Sequence, residues 1–113
     1  MKNQAKKNTL TTRDEIISAL RRELPDLKKQ YGIKRIFMFG SFAKGTQRKD
    51  SDIDILVETK EPLGLEFVSL SDRLEEILNH KVDVATYSLF KNSFNNPRYR
   101  HIAEDIAKDL IDV

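Results

Sequence analysis

The sequence predicts an α/β fold, a small mixed β-sheet packed by helices. Three observations carry the prediction. Apolar residues recur at helical spacing near the start, in the middle and at the end of the chain. Three short runs rich in β-branched and aromatic residues read as strands. The segments follow one another as helix, strand, strand, helix, strand, helix.

The elements follow in order. Residues 1–10, with Lys2, Lys6 and Lys7 in polar surroundings, read as a flexible basic tail, and residues 11–113 as a single domain. Thr12 followed by Glu15 is a capping box, and Ile16, Ile17, Leu20, Leu24, Leu27 and Tyr31 form one apolar stripe, so a helix starts at about Arg13. Pro25 should kink it or start a second segment, and Gly32 should end it. Arg35 to Phe39 reads as a strand buried on both faces. Gly40 ends that strand, a short helix could open at Ser41 or Phe42, and Gly45 would close the turn. The next strand buries Ile53, Ile55 and Val57 on one face. After the break Glu61-Pro62-Leu63-Gly64, a helix from Leu65 to Asn79 carries Phe67, Leu70, Leu74, Ile77 and Leu78. Lys81 to Thr86 is the third strand. Tyr99 to Ile111 closes the chain as an amphipathic helix through Ile102, Ile106 and Leu110. That last face is a candidate for partner contact. Arg98, Tyr99 and Arg100 beside Pro97 could reach a nucleotide base or a partner, or form an exposed polar loop.

Composition narrows the function. At 113 residues there is room for one core but not for a separate substrate-binding domain. With 20 basic and 18 acidic residues, the charge gives no electrostatic case for direct nucleic-acid binding. No stretch is apolar enough for a membrane span or signal peptide, and the absence of cysteine fits a reducing, cytoplasmic compartment. Without cysteine, and with His80 and His101 as the only histidines, the chain offers poor material for a zinc site. His80, in Asn79-His80-Lys81, reads as part of a solvated turn.

The chemistry concentrates between Phe37 and Val57, Phe-Met-Phe-Gly-Ser-Phe-Ala-Lys-Gly-Thr-Gln-Arg-Lys-Asp-Ser-Asp-Ile-Asp-Ile-Leu-Val. Side chains at i and i+2 of a strand share a face about 6.5–7 Å apart, so Asp52 and Asp54 can lean over one sheet edge and share divalent metal. Alone, such a pair reads rather as two solvated carboxylates. With Gly40-Ser41 upstream, the order strand, Gly-Ser, basic loop, Asp-x-Asp, strand points to a phosphate site. There Gly40 admits a ligand to the backbone, and Ser41 serves as a phosphate ligand rather than a nucleophile.

Gly40-Ser41, Ala43-Lys44-Gly45 and Ser51-Asp52-Ile53-Asp54-Ile55-Leu56-Val57 resemble the nucleotidyltransferases of the DNA polymerase β type, and among them the minimal nucleotidyltransferases. The resemblance is strong over roughly residues 30 to 90. It implies a polymerase β-like nucleotidyltransferase fold in which Gly40 and Ser41 hold the phosphates of ATP and Asp52 and Asp54 hold magnesium. It also implies a third carboxylate from a later strand, which Asp83 in Val82-Asp83-Val84 supplies; on residue pattern alone, Asp83 could equally mark a strand edge. Where the family usually has arginine before the second glycine this chain has Lys44, which keeps the charge but not a bidentate grip. Three carboxylates suit two Mg²⁺ roughly 3.5–4 Å apart. Minimal members further imply the antitoxin of a two-gene pair, adding AMP to a tyrosine of a HEPN-type ribonuclease toxin. Two alternatives stand beside this: a non-catalytic antitoxin that neutralises its partner by binding, and transfer to a small-molecule acceptor.

Overall fold

Local signals decide where the first helix begins and ends. The computed structural model describes residues 12–113; the tail expected over residues 1–10 lies outside them. In α1 (Arg13–Tyr31) the Glu15 N–H donates to the Thr12 hydroxyl at 3.2 Å and the Glu15 carboxylate accepts from the Thr12 N–H at 3.1 Å, closing the expected capping box. Gly32 ends the helix at φ 67°, its N–H donating to the Lys28 carbonyl. Pro25 does not start a second segment: α1 is one helix with Pro25 inside it. Pro25 is exposed, where water can serve the carbonyl that loses its donor, while Leu20, Leu27 and Tyr31 anchor the helix on both sides of it.

Then come β1 (Ile33–Phe39), α2 (Gly40–Lys44), β2 (Ile53–Thr59), α3 (Glu66–Leu78), β3 (Val82–Thr86), α4 (Tyr87–Phe94), α5 (Arg100–Lys108) and β4 (Ile111–Asp112). The mixed sheet has the order β3-β2-β1-β4, with β1 antiparallel to β2 and β4, and β2 parallel to β3. β3 is thus an edge strand, and Asp83 lies on it as the edge reading expected. The centre of β1, Ile36-Phe37-Met38, is buried on both faces as expected, whereas Lys34 and Arg35 are exposed.

One sheet face, with Ile36, Met38, Ile53, Ile55 and Val57, packs against Ile16, Leu20 and Leu27 of α1 and Leu70, Leu74 and Leu78 of α3. The other carries a smaller cluster in which Phe37 and Leu56 meet Phe90 of α4 and Ala103 of α5. Leu56 is therefore core as fully as Ile55, and β2 is not a strand with one solvated face.

Three features depart from the sequence reading. α4 was not expected. It follows β3 without a loop: the Thr86 hydroxyl caps it by accepting from the Leu89 N–H, and the rings of Tyr87, Phe90 and Phe94 meet in tilted and edge-on contacts along one side. The closing helix ends at Lys108, before the expected Ile111, and Ile111 instead pairs with Met38 in β4. There the Val113 N–H donates to the Ile36 carbonyl at 2.8 Å, giving the outer backbone edge of β1 its partner. Finally, Ala103 is the most buried residue of α5, while Ile102 is 49% exposed. Among the described residues no helix is long and apolar enough to cross a membrane.

Candidate active site

Three turns place the acidic residues. Downstream of α2 the chain is held by the Thr46 N–H donating to the Ser41 carbonyl at 2.9 Å. The next turn closes on itself, the Ser51 N–H donating to the Arg48 carbonyl and the Arg48 N–H to the Ser51 hydroxyl at 2.8 Å. That turn delivers Asp52 to the start of β2. At the start of β3, the Val82 N–H donates to the Glu75 carboxylate at 3.1 Å and the Lys81 carbonyl accepts from the Ile53 N–H at 3.0 Å. These bonds set the parallel register that places Asp83 beside Asp54.

Adjacent strands lie about 4.8 Å apart, so Asp54 and Asp83 leave one sheet face side by side. Phe39, opposite Asp54 on β1, completes that rung, and the chain turns into Gly40 and Ser41. The structure thus brings together Gly40, Ser41, Asp54 and Asp83, with Asp52 close enough to act on Asp54 electrostatically. Asp52 and Asp83 are exposed; Asp54 is half-buried.

Gly40 is required for a reason the sequence did not reveal. Its φ is +76°, and a Cβ built there would overlap the Asp54 carboxylate. The absent side chain makes room for the aspartate itself. Gly45 closes α2 at φ +81° with its N–H donating to the Ser41 carbonyl, and a Cβ there meets nothing within 4 Å.

Asp54 is held far from its ordinary state: burial first, then the charges of Asp83 and Asp52, push its carboxyl up from 3.8 to about 6. Every contribution raises it, so no described basic group offsets the repulsion. That is the electrostatics of a place suited to a cation. Among the described residues no group of three or more His, Cys, Asp or Glu side chains is placed to hold a metal ion, so Asp52, Asp54 and Asp83 do not form a ready-made three-ligand site; Mg²⁺ takes oxygen ligands and shares its coordination with substrate phosphates and water. The donors present, all carboxylate oxygens, fit that ion.

Lys44 sits at the C-terminal end of α2 with its ammonium 3.5 Å from a carboxylate oxygen of Asp109, just beyond α5. Both border a cleft of about 140 Å³ together with Gly40 and Phe39. Sequence reasoning missed Asp109, and also Arg13, whose guanidinium donates to the Ala43 carbonyl at 3.0 Å and ties α2 to the start of α1. Neither lies within a motif; both contacts are long-range. His80 has its Nδ1 against the Lys81 carbonyl at 2.9 Å and its ring edge-on to Phe42.

The family model for the nucleotidyltransferase domain matches residues 17–112. The chain belongs to that family. A Methanocaldococcus jannaschii protein named "Putative protein adenylyltransferase" is 39% identical over 103 residues, spanning 90% of this chain and 98% of that protein. The protein adenylyltransferase MntA of Thermococcus cleftensis is 34% identical over 94 residues, spanning 82% and 95%. Among solved structures, one described as a putative minimal nucleotidyltransferase superposes with a TM-score of 0.67 at 27% identity, covering 94% of this chain and all of that one. The fold of this nucleotidyltransferase is accordingly the polymerase β-like one of the minimal members. Two more distant structures share it: a toxin–antitoxin with AMP-PNP (TM-score 0.57, 23% identity, 90% of this chain and 72% of that one) and a tri-AMPylated Shewanella oneidensis HEPN toxin in complex with MNT antitoxin (0.50, 19%, 88% and 66%).

Proposed function

We propose that this nucleotidyltransferase uses Mg²⁺ to move AMP from ATP onto a hydroxyl, a tyrosine, of a HEPN-type ribonuclease toxin, and so serves as its antitoxin in the cytoplasm. The observation that carries the reading is the pairing of Asp54 with Asp83 across parallel strands next to Gly40, with the Asp54 carboxylate in the space a side chain at residue 40 would fill. Relatives named as protein adenylyltransferases over nearly their whole length support the acceptor class.

Asp52, Asp54 and Asp83 would hold the magnesium, two ions when the nucleotide is bound. The metal supplies neutralisation of phosphate charge and a lowered pKa for the attacking hydroxyl. The Ser41 hydroxyl, the backbone at Gly40 and the Lys44 ammonium bind the phosphates, Lys44 by exchanging Asp109 for a phosphate oxygen. The tyrosine oxygen forms a bond to the α-phosphorus, the bond from that phosphorus to the bridging oxygen breaks, pyrophosphate leaves, and the hydroxyl proton passes to one of the three carboxylates. Gly40 and Ser41 fix the phosphates on one side of Asp54 and Asp83 extends the site on the other, so attack and departure occur across the carboxylates.

The test is incubation of the cognate toxin with this protein, ATP and Mg²⁺. The toxin should gain the mass of one or more AMP units and remain inactive after the two proteins are separated. No added mass, recovery of toxin activity on separation, and neutralisation that survives Asp52→Asn would establish sequestration instead.

A further inference from the structure

The sheet face that bears the carboxylates continues into an apolar groove. One rung along from Phe39–Asp54–Asp83 stand Phe37, Leu56 and Ala85. Phe39, Leu56 and Ala85 floor a groove of about 190 Å³ between α4 and α5, rimmed by Leu89, Tyr99 and Ile102, which are 63%, 46% and 49% exposed. Phe39 and Ile106 also border the small cleft beside Gly40 and Lys44, so the groove adjoins the phosphate end of the site. Three exposed apolar side chains around one opening form a contiguous patch rather than scattered surface.

We propose that this groove binds the base of the nucleotide whose phosphates lie at Gly40 and Ser41, with Leu89, Tyr99 and Ile102 as the residues that hold it; the proposal rests on the nucleotidyl-transfer reading above. Size favours this occupant. A helix of a partner is about 10–12 Å across with its side chains and does not enter so small a space, whereas a single flat ring system does. Chemistry favours it too: every base presents a π-face that apolar and aromatic walls accept. The polar side chains of the wall are Ser93 and Tyr99. The Ser93 hydroxyl donates to the Leu89 carbonyl at 3.0 Å, so towards a ligand its oxygen serves as an acceptor, which suits the amino group of a base. Position is the third point, because carboxylates and groove floor are successive rungs of one face about 6.5–7 Å apart.

The experiment compares equilibrium binding of Mg·ATP and Mg·tripolyphosphate, which has no base. Wild type is measured beside Ala85→Leu, which fills the floor, and the double rim variant Leu89→Ala/Ile102→Ala, whose exposed positions preserve folding if Ala85→Leu does not fold. Wild type should prefer ATP. The variants should weaken ATP roughly tenfold, the worth of one stacked base, and leave tripolyphosphate unchanged. Equal wild-type affinity for the two ligands, or unchanged ATP binding in the folded variants, overturns the base pocket while leaving the phosphate site standing. If the rim variants keep ATP affinity but lose the toxin, the groove is a protein-docking surface. If wild type binds neither ligand, nucleotidyl transfer fails as well.

Discussion

Replacing Asp54 with asparagine should stabilise the fold while abolishing transfer. The wild-type carboxyl is pushed from 3.8 to about 6 by burial and by the charges of Asp83 and Asp52. The folded protein therefore binds this proton more tightly than the unfolded chain does. The contribution of Asp54 to stability is fully present below pH 3.8 and is lost as pH rises through about 6. A shift of some two units at about 1.36 kcal/mol each sets a ceiling of about 3 kcal/mol. Because Asp54 is only half-buried, solvent screening reduces that to about 1–1.5 kcal/mol. Asparagine keeps the shape beside Gly40 and carries no charge at any pH. At pH 8 the variant should be more stable than wild type by that amount, about 4–6 °C in Tm for a chain of this size. At pH 3.5 the two should coincide. The assay is denaturant and thermal unfolding of both proteins at the two pH values without metal, followed by AMP transfer at pH 8, which should drop at least a hundredfold in the variant. A variant less stable than wild type at pH 8, or a stability gap that is the same at both pH values, would refute the electrostatic account of this site.

The same ionisation predicts that kcat/KM for ATP at limiting Mg²⁺ rises with pH through about 6, since a protonated Asp54 gives up its place as a cation ligand; a flat profile from pH 5 to 8 would contradict it. Gly40→Ala should lose about 1–3 kcal/mol of stability from left-handed strain and collision with Asp54, whereas Gly45→Ala, strained but open, should lose only about 1 kcal/mol; chemical denaturation of the pair measures the difference. Ser41→Ala should weaken Mg·ATP by about 1.5–3 kcal/mol with an unchanged melting temperature in the absence of nucleotide, and an undiminished ATP-dependent shift in the melt would remove Ser41 from the phosphate site.

Much of the fold was legible in the chain because the signals were local. The Thr12–Glu15 box, the glycine stops at residues 32 and 45, and the stripes of α1 and α3 each lie within a few residues of their partners. Of the Asp-x-Asp pair, Asp54 lies in β2 whereas Asp52 precedes the strand, near enough for its charge to raise the Asp54 carboxyl. α4 was missed although Tyr87, Phe90 and Phe94 repeat at helical spacing, because Thr86 ends a strand and caps a helix at once and no loop separates them. β4 was missed because Ile111 continues the helical pattern, and only the unpaired edge of β1 draws it into the sheet.

The sequence by itself determined the kinds of groups at the candidate site, Gly40, Ser41 and the aspartates, since chemistry resides in residue type and short spacing. Tertiary structure alone decided their relations. Asp83 meets Asp54 through the parallel register of β2 and β3, Gly40 yields its side-chain space to the Asp54 carboxylate, Lys44 finds Asp109, and α4 and α5 wall an apolar groove beside the charges. Each of these joins segments far apart in the chain. Periodicity reports which face of an element is apolar, but not which other element will cover it or in what register, because that follows from packing and backbone pairing across the whole fold.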